Sequence, residues 1–305
     1  VKTIYIAPRP DAETLAAMFR AELPDHHVTT EAPAGPVPYA VIGRPAPGVI
    51  ANLKGLELLL SLNAGIEHLL AGGEVPPHVP IVRMVDPGLI LGMTDWVVAE
   101  VMAWHRNLFL YREQQAAGLW KQHPELMARE RTLTVLGAGA LGSAAATMLA
   151  TLGFQVRVWS RTGRAVPGTT SFAAAGHDAA VAGSDALINL LPATPETGGL
   201  INAALLARLA SGALLVNAGR GSAVVDADVL AALDAGQLSW AALDVFHAEP
   251  LPADHPFWKH PRVLVSPHVA APTHARTAVA VIAQSIRTFE RGEALANVVD
   301  RRLGY

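Results

Sequence analysis

Between residues 132 and 266 the chain repeats one pattern: a short apolar run, a helical stretch, then another apolar run. The runs are residues 132–137, 155–160, 186–191, 213–217, 241–246 and 263–266. Stretches 140–152, 203–209 and 226–235 carry apolar residues at helical spacing and separate several of them. Strands that are apolar without alternation must be covered on both faces, and helical crossovers join strands in parallel. The pattern therefore predicts α/β architecture with a doubly wound parallel sheet.

The first ninety or so residues predict a smaller α/β unit. Strands are expected at 3–7, 39–43, 56–63 and 81–85, with a short helix at 65–70. A helix is expected over 11–23, with Asp11 as its N-cap and Leu15, Met18, Phe19 and Leu23 on one face. Thr94 is expected to cap a long helix over 95–117, on which Val97, Val101, Trp104, His105 and Leu108 recur at helical spacing. A last helix is expected over 273–291. The 305 residues suffice for two such domains.

Bulk chemistry excludes several function classes. The net charge of -3 leaves no basic field for nucleic acid. The absence of cysteine removes thiolate nucleophiles, disulfides and Cys-ligated zinc. No apolar stretch reaches the roughly eighteen residues of a membrane span, and residues 1–8 lack the pattern of a secretory leader, so a cytoplasmic enzyme is expected.

Residues 137–142 read Gly-Ala-Gly-Ala-Leu-Gly, a G-x-G-x-x-G placed between strand and helix. Gly137 permits the tight turn, Gly139 admits a pyrophosphate to the backbone, and Gly142 allows close helix packing. Ala140 and Leu141 open the helix whose N-terminal N–H groups would face the phosphates. An NAD-specific site would place an acid about twenty residues on. Here Ser160 and Arg161 stand there, with Arg164 nearby. A hydroxyl and a guanidinium suit the 2′-phosphate of NADPH, so NADPH is expected over NADH.

Three polar residues follow successive strand ends: Arg220, Glu249 and His268. Ligands of an open parallel sheet bind outside the carboxyl ends of its strands. Hydride addition to a ketone builds charge on oxygen and needs a proton donor, which His268 can supply. A carboxylate beside the imidazole, from Glu249, favours its donating form. Arg220 can hold a substrate carboxylate and polarise the 2-oxo group. No metal is expected: His255, His260 and His274 lie near His268 in sequence but make no i, i+4 ligand pair with an acid. No G-x-S-x-G nucleophile turn is present.

The three loops and the glycine turn resemble the D-isomer-specific 2-hydroxyacid dehydrogenase family, and within it the bacterial glyoxylate/hydroxypyruvate reductase A group. The likeness runs from about residue 56 to 305 and includes residues 61–70, Leu190, Leu191 and Pro192 with Thr194 and Thr197, and the closing 300–305. It implies two Rossmann-like domains: a discontinuous substrate domain, residues 1–93 plus 278–305, and a dinucleotide domain, 94–277. It further implies that Asn63, Ala64 and Gly65 grip the substrate carboxylate with backbone N–H groups. Asp244 would orient the nicotinamide amide, with Leu191, Pro192, Thr197, Ala218, Gly219 and Ala270 among the cofactor contacts. The 94–117 helix matches the segment through which members form twofold dimers.

Two departures from the family pattern matter. Gly219 stands where members usually have Ala, and Gly43 and Arg44 occupy a loop that can carry a pocket-lining aromatic residue. The second leaves glyoxylate, hydroxypyruvate and bulkier 2-oxo acids all open as substrates. The alternatives are an NAD-linked dehydrogenase of another specificity and a nucleotide-sensing corepressor of the same fold, which a turnover assay separates.

Overall fold

The computed structural model describes residues 1–32 and 34–305. They divide into two compact units: Val1–Leu89 with Thr273–Tyr305, and Ile90–Pro272.

The first unit runs β1 (Thr3–Ile6), α1 (Ala12–Glu22), β2 (His27–Thr29), β3 (Tyr39–Ile42), β4 (Leu58–Ser61), α2 (Glu67–Ala71) and β5 (Ile81–Val82). Its sheet has the order β2-β1-β3-β4-β5, and every pairing is parallel. Side chains alternate across a strand. Ile4, Ile6, Val41 and Leu60 pack on one face with Phe19 and with Val279, Ile282 and Ile286 of the C-terminal helix Ala275–Glu290. Tyr5, Ala40, Ile42 and Leu59 face the other way, towards Ile66 and Leu69. Both faces are covered, which is why the strands read as unbroken apolar runs. The C-terminal helix covers one of those faces, so the unit is discontinuous in sequence.

The second unit takes in most of α3 (Pro87–His105), then α4 (Leu108–Ala116), β6 (Thr132–Leu136), α5 (Ala140–Thr151), β7 (Gln155–Trp159), β8 (Thr170–Phe172), α6 (His177–Val181), β9 (Ala186–Asn189), α7 (Ala203–Leu206), β10 (Ala213–Asn217), α8 (Asp226–Asp234), β11 (Leu238–Leu243) and β12 (Val263–Val265). Its sheet order is β12-β11-β10-β9-β6-β7-β8, all parallel. Strand order reverses between β6 and β9, the switch point at which such sheets bind ligands. Leu133, Val135, Ile188 and Val216 pack against α3 and α5 on one face. Leu187, Leu215 and Leu243 meet α7 and α8 on the other.

Helix α1 starts where expected, with Asp11 at the N-cap position, and the expected start at Thr94 is corrected. Asp11 makes no capping bond; its carboxylate pairs with Arg9 instead. Thr94 lies inside α3, where its hydroxyl donates to the Ile90 carbonyl (2.8 Å). The helix begins earlier because Asp86 accepts from the N–H groups of Gly88 (3.1 Å) and Leu89 (3.2 Å), with Pro87 at the first helical position. It also ends earlier. Asn107 adopts a left-handed φ of 56°, which separates α3 from α4 and turns Leu108 outward while Phe109 is buried. Strands β2 and β8 were not anticipated. Among the described residues no helix is long and apolar enough to cross a membrane.

Candidate active site

The glycine turn closes β6 onto α5. Gly137 has φ 113°, and a Cβ there would lie 3.0 Å from the Leu190 carbonyl oxygen. A Cβ on Gly142 would overlap the Gly137 carbonyl, so the first turn of α5 packs directly on the loop. Gly139 differs: a Cβ there would meet nothing within 4 Å. The backbone at Gly139, Ala140 and Leu141 is thus open on the side where helix N–H groups attract a phosphate.

At the end of β7 the Ser160 hydroxyl is buried with no hydrogen-bond partner. A buried orphan donor is costly unless a ligand or water satisfies it. Arg161 follows directly. Glu196, on the loop after β9, sits close enough to feel that guanidinium: its carboxyl is held below the usual range by its own backbone N–H, then Thr194, with Arg161 contributing. An open glycine turn, an orphan hydroxyl and an arginine fit a dinucleotide carrying a 2′-phosphate.

The loops after β9 and β10 are joined by a buried amide pair. Asn189 Nδ2 donates to Asn217 Oδ1 (2.9 Å), and the same oxygen accepts from the Gly219 N–H (3.2 Å). Asn189 Oδ1 accepts from the Leu191 N–H (3.3 Å), and Ala218 N–H donates to the Asn189 carbonyl (3.2 Å). Thr197 Oγ1 donates to the Pro192 carbonyl (2.7 Å) and accepts from Thr194 N–H (2.9 Å). Leu191, Pro192, Thr197, Ala218 and Gly219 thus belong to one hydrogen-bonded rim. A Cβ on Gly219 would come within 2.7 Å of the Leu191 carbonyl oxygen, so this chain has closed the space that Ala would need.

Arg220 follows β10, and Asn217 Nδ2 donates to its carbonyl (3.2 Å). His268 Nδ1 lies 2.8 Å from Glu249 Oε2, and Glu249 Oε1 accepts from the Phe246 N–H (3.0 Å). With Nδ1 committed to the carboxylate, Nε2 is the ring nitrogen that can hand over a proton. His268 also has φ 54°, a left-handed conformation uncommon outside glycine. Asp244 holds it there. Its backbone carbonyl accepts from His268 N–H (2.9 Å). Its carboxylate accepts from Ser266 Oγ (2.5 Å), Val269 N–H (2.9 Å) and Ala270 N–H (2.9 Å). Beyond Asp244 stands Glu100 of α3, whose carboxyl is pushed up by burial and by the Asp244 charge.

In the first unit, Asn63 follows β4. Its N–H is taken by Ser61 Oγ (3.0 Å) and its carbonyl accepts from Met84 N–H (3.1 Å), while Nδ2 is buried without a partner. Ala64 and Gly65 follow directly. Among the described residues no three His, Asp or Glu side chains converge as metal ligands. Sequence reasoning missed Asn189, Asn217, Ser266, Glu100 and Glu196. The one available signal was an Asn closing each of two successive apolar strands.

Residues 98–270 match the sequence profile "D-isomer specific 2-hydroxyacid dehydrogenase, NAD binding domain". The chain is 40% identical over 310 aligned residues to the glyoxylate/hydroxypyruvate reductase A of Serratia proteamaculans, covering 99% of each. It belongs to the D-isomer-specific 2-hydroxyacid dehydrogenase family. Two solved structures of that family superpose over the full length of both chains. One is a D-isomer-specific 2-hydroxyacid dehydrogenase from Xanthobacter autotrophicus in complex with NADPH and MES (TM-score 0.95, 36% identity). The other is an NADPH-dependent glyoxylate/hydroxypyruvate reductase from Sinorhizobium meliloti in complex with NADP and sulfate (TM-score 0.93, 35% identity). The family profile spans every strand of the second sheet together with Arg220, Glu249 and His268.

Proposed function

We propose that this chain is an NADPH-dependent reductase of small 2-oxo acids, of the glyoxylate and hydroxypyruvate type, forming D-2-hydroxy acids. The observation that carries the reading is the His268–Glu249 pair, 2.8 Å apart at the carboxyl edge of the dinucleotide-type sheet. When bound, NADPH supplies the hydride. His268 supplies the proton from Nε2 while Glu249 fixes the ring through Nδ1. Arg220 pairs with the substrate carboxylate and faces the carbonyl oxygen as charge builds on it. Ser160 and Arg161 hold the 2′-phosphate, and Gly137, Gly139 and Gly142 with Ala140 and Leu141 cradle the pyrophosphate.

On this reading the second unit is the cofactor domain and the first unit the substrate domain. There, the orphan Asn63 Nδ2 and the N–H groups of Ala64 and Gly65 are the candidate hydrogen-bond donors. We assign a homodimer built on α3 and the segment after it. Leu119, Trp120, Leu126 and Met127 are exposed there, Trp120 by 96%, an apolar display suited to a protein interface.

The test is a panel of 2-oxo acids with NADPH and NADH, following loss of the reduced cofactor, with the molar mass read by light scattering. NADPH should be used at least about tenfold more efficiently than NADH, a difference of about 1.4 kcal/mol. No turnover on any 2-oxo acid would refute the reading. Equal efficiency with NADH would refute the role of Ser160 and Arg161.

A further inference from the structure

The loop carrying Arg220 and the loop carrying Glu249 are in contact along their length. A Cβ on Gly221 would overlap the Phe246 carbonyl, so only glycine lets the backbones approach this closely. His247 Nε2 lies 2.7 Å from the Val224 carbonyl. A carbonyl only accepts, so that nitrogen carries a proton and donates. Further along, His255 Nε2 reaches Asp226 Oδ2 (3.4 Å), and His247 Nε2 lies 3.9 Å from Asp226 Oδ1. Asp226 is the first residue of α8, at the end of the Arg220 loop.

The His255 tautomer is set by its surroundings. Nδ1 accepts from the Phe257 N–H (3.3 Å) and caps the short helical turn Pro256–Trp258. The lone pair on Nδ1 is in use, so the neutral ring carries its proton on Nε2, the nitrogen that lies 3.4 Å from Asp226 Oδ2. One imidazole therefore ends a turn in its own loop and stands within ion-pairing distance of the neighbouring loop.

We propose that Asp226, received by His255 with His247 alongside, is a positioning residue that locks the Glu249 segment onto the Arg220 segment. The proton-donor pair and the substrate guanidinium then hold one relative geometry. This deepens the functional reading above and rests on it for its catalytic consequence. A misplacement of about 1 Å between groups acting on one substrate can cost on the order of a hundredfold in rate. The locking itself is a structural claim, readable without turnover.

Two substitutions at His255 separate the clasp from the cap. In His255→Asn the side-chain oxygen can still cap Phe257, since Asn is a good N-cap, but the shorter side chain no longer reaches Asp226. In His255→Gln the terminal amide reaches Asp226 and the cap is lost. Asp226→Ala removes the acceptor. Backbone hydrogen exchange reads the lock directly at Val224, whose N–H is bonded to the Gly221 carbonyl, and at Phe246, bonded to Glu249. Asp226→Ala and His255→Asn should lose protection at both amides together, with β6 and α5 unchanged. In the same two variants kcat should fall at least about tenfold while KM for NADPH stays within about twofold. His255→Gln should keep kcat within about threefold. Wild-type protection at both amides in Asp226→Ala and His255→Asn would overturn the proposal. So would a loss of protection that leaves kcat unchanged in an enzyme that does reduce 2-oxo acids. A wild-type chain without turnover refutes the functional reading alone, and the exchange data still decide the lock.

Discussion

Asp244→Asn changes one atom where every hydrogen-bond partner of the side chain is a donor. The carboxylate is 1% exposed and accepts from Ser266 Oγ and from the N–H groups of Val269 and Ala270. An amide offers one acceptor oxygen and a two-donor nitrogen. With its oxygen at the Oδ1 position, the amide nitrogen confronts Ala270 N–H. Flipped, the nitrogen confronts Val269 N–H, while the serine hydroxyl can rotate to accept. Either way one backbone N–H loses its acceptor and meets a donor. An unsatisfied buried donor costs about 1–3 kcal/mol, and the surviving bonds weaken because the acceptor is no longer charged. We expect the urea midpoint to fall by the equivalent of about 1–3 kcal/mol at unchanged m-value. The same bonds hold His268 in its left-handed conformation, so kcat should fall at least about tenfold, or about 1.4 kcal/mol. Urea titration and steady-state 2-oxo acid reduction check both. A variant with the wild-type midpoint would refute the donor-crowding argument. A destabilised variant with wild-type kcat would show that Asp244 anchors the loop without positioning His268.

Arg220→Ala should fold normally and lose at least about a hundredfold in kcat/KM on glyoxylate or hydroxypyruvate. Arg220→Lys should rescue poorly, because a point charge lacks the two-pronged donor geometry; near-wild-type kinetics of either would remove Arg220 from the site. His268→Ala should lose about 10²–10⁴-fold in kcat, the usual contribution of a general acid, at all pH values tested. Glu100→Gln should raise the melting temperature at pH 7. Burial and the Asp244 charge lift the Glu100 carboxyl above its ordinary 4.5, so its contribution to stability is intact below that pH and is lost as pH rises through the lifted value. The gain in Glu100→Gln should therefore vanish in melts at pH 4, and a gain of equal size at both pH values would point to packing instead.

The features legible from sequence are those whose physical reason is local. Gly137 and Gly142 are fixed by a turn and a helix that lie beside them in the chain. The trio Arg220, Glu249 and His268 could be placed because each follows an apolar run, and the end of a parallel strand is a position that sequence reports. Helix starts were less legible, since Asp86 and Thr94 are both good caps. Pro87 decides between them by supplying a first helical position that needs no N–H donor. The break at Asn107 rests on a left-handed residue that Asn tolerates but does not demand. Strands β2 and β8 are three residues each, at sheet edges, with two of the three residues polar in both, so they carry no apolar run to read.

What escaped the sequence is the set of bonds that tie one strand end to the next. Asn189 and Asn217 are 28 positions apart, Asp244 and Ala270 26 apart, and both pairs meet only because parallel strands bring their carboxyl ends to one edge. Each such polar group is buried, and a buried polar group is tolerated only when its partners are in place. The apolar strands therefore impose the sheet, the sheet imposes the meeting of these groups, and their mutual satisfaction fixes the loops on which Arg220, Glu249 and His268 stand. Reading the chemistry from residue types is possible because the trio stands at the end of this sequence of constraints, Glu249 and His268 exposed and Arg220 half-buried. Reading its geometry requires the partners, since the left-handed backbone of His268 is held by an aspartate from the neighbouring strand end.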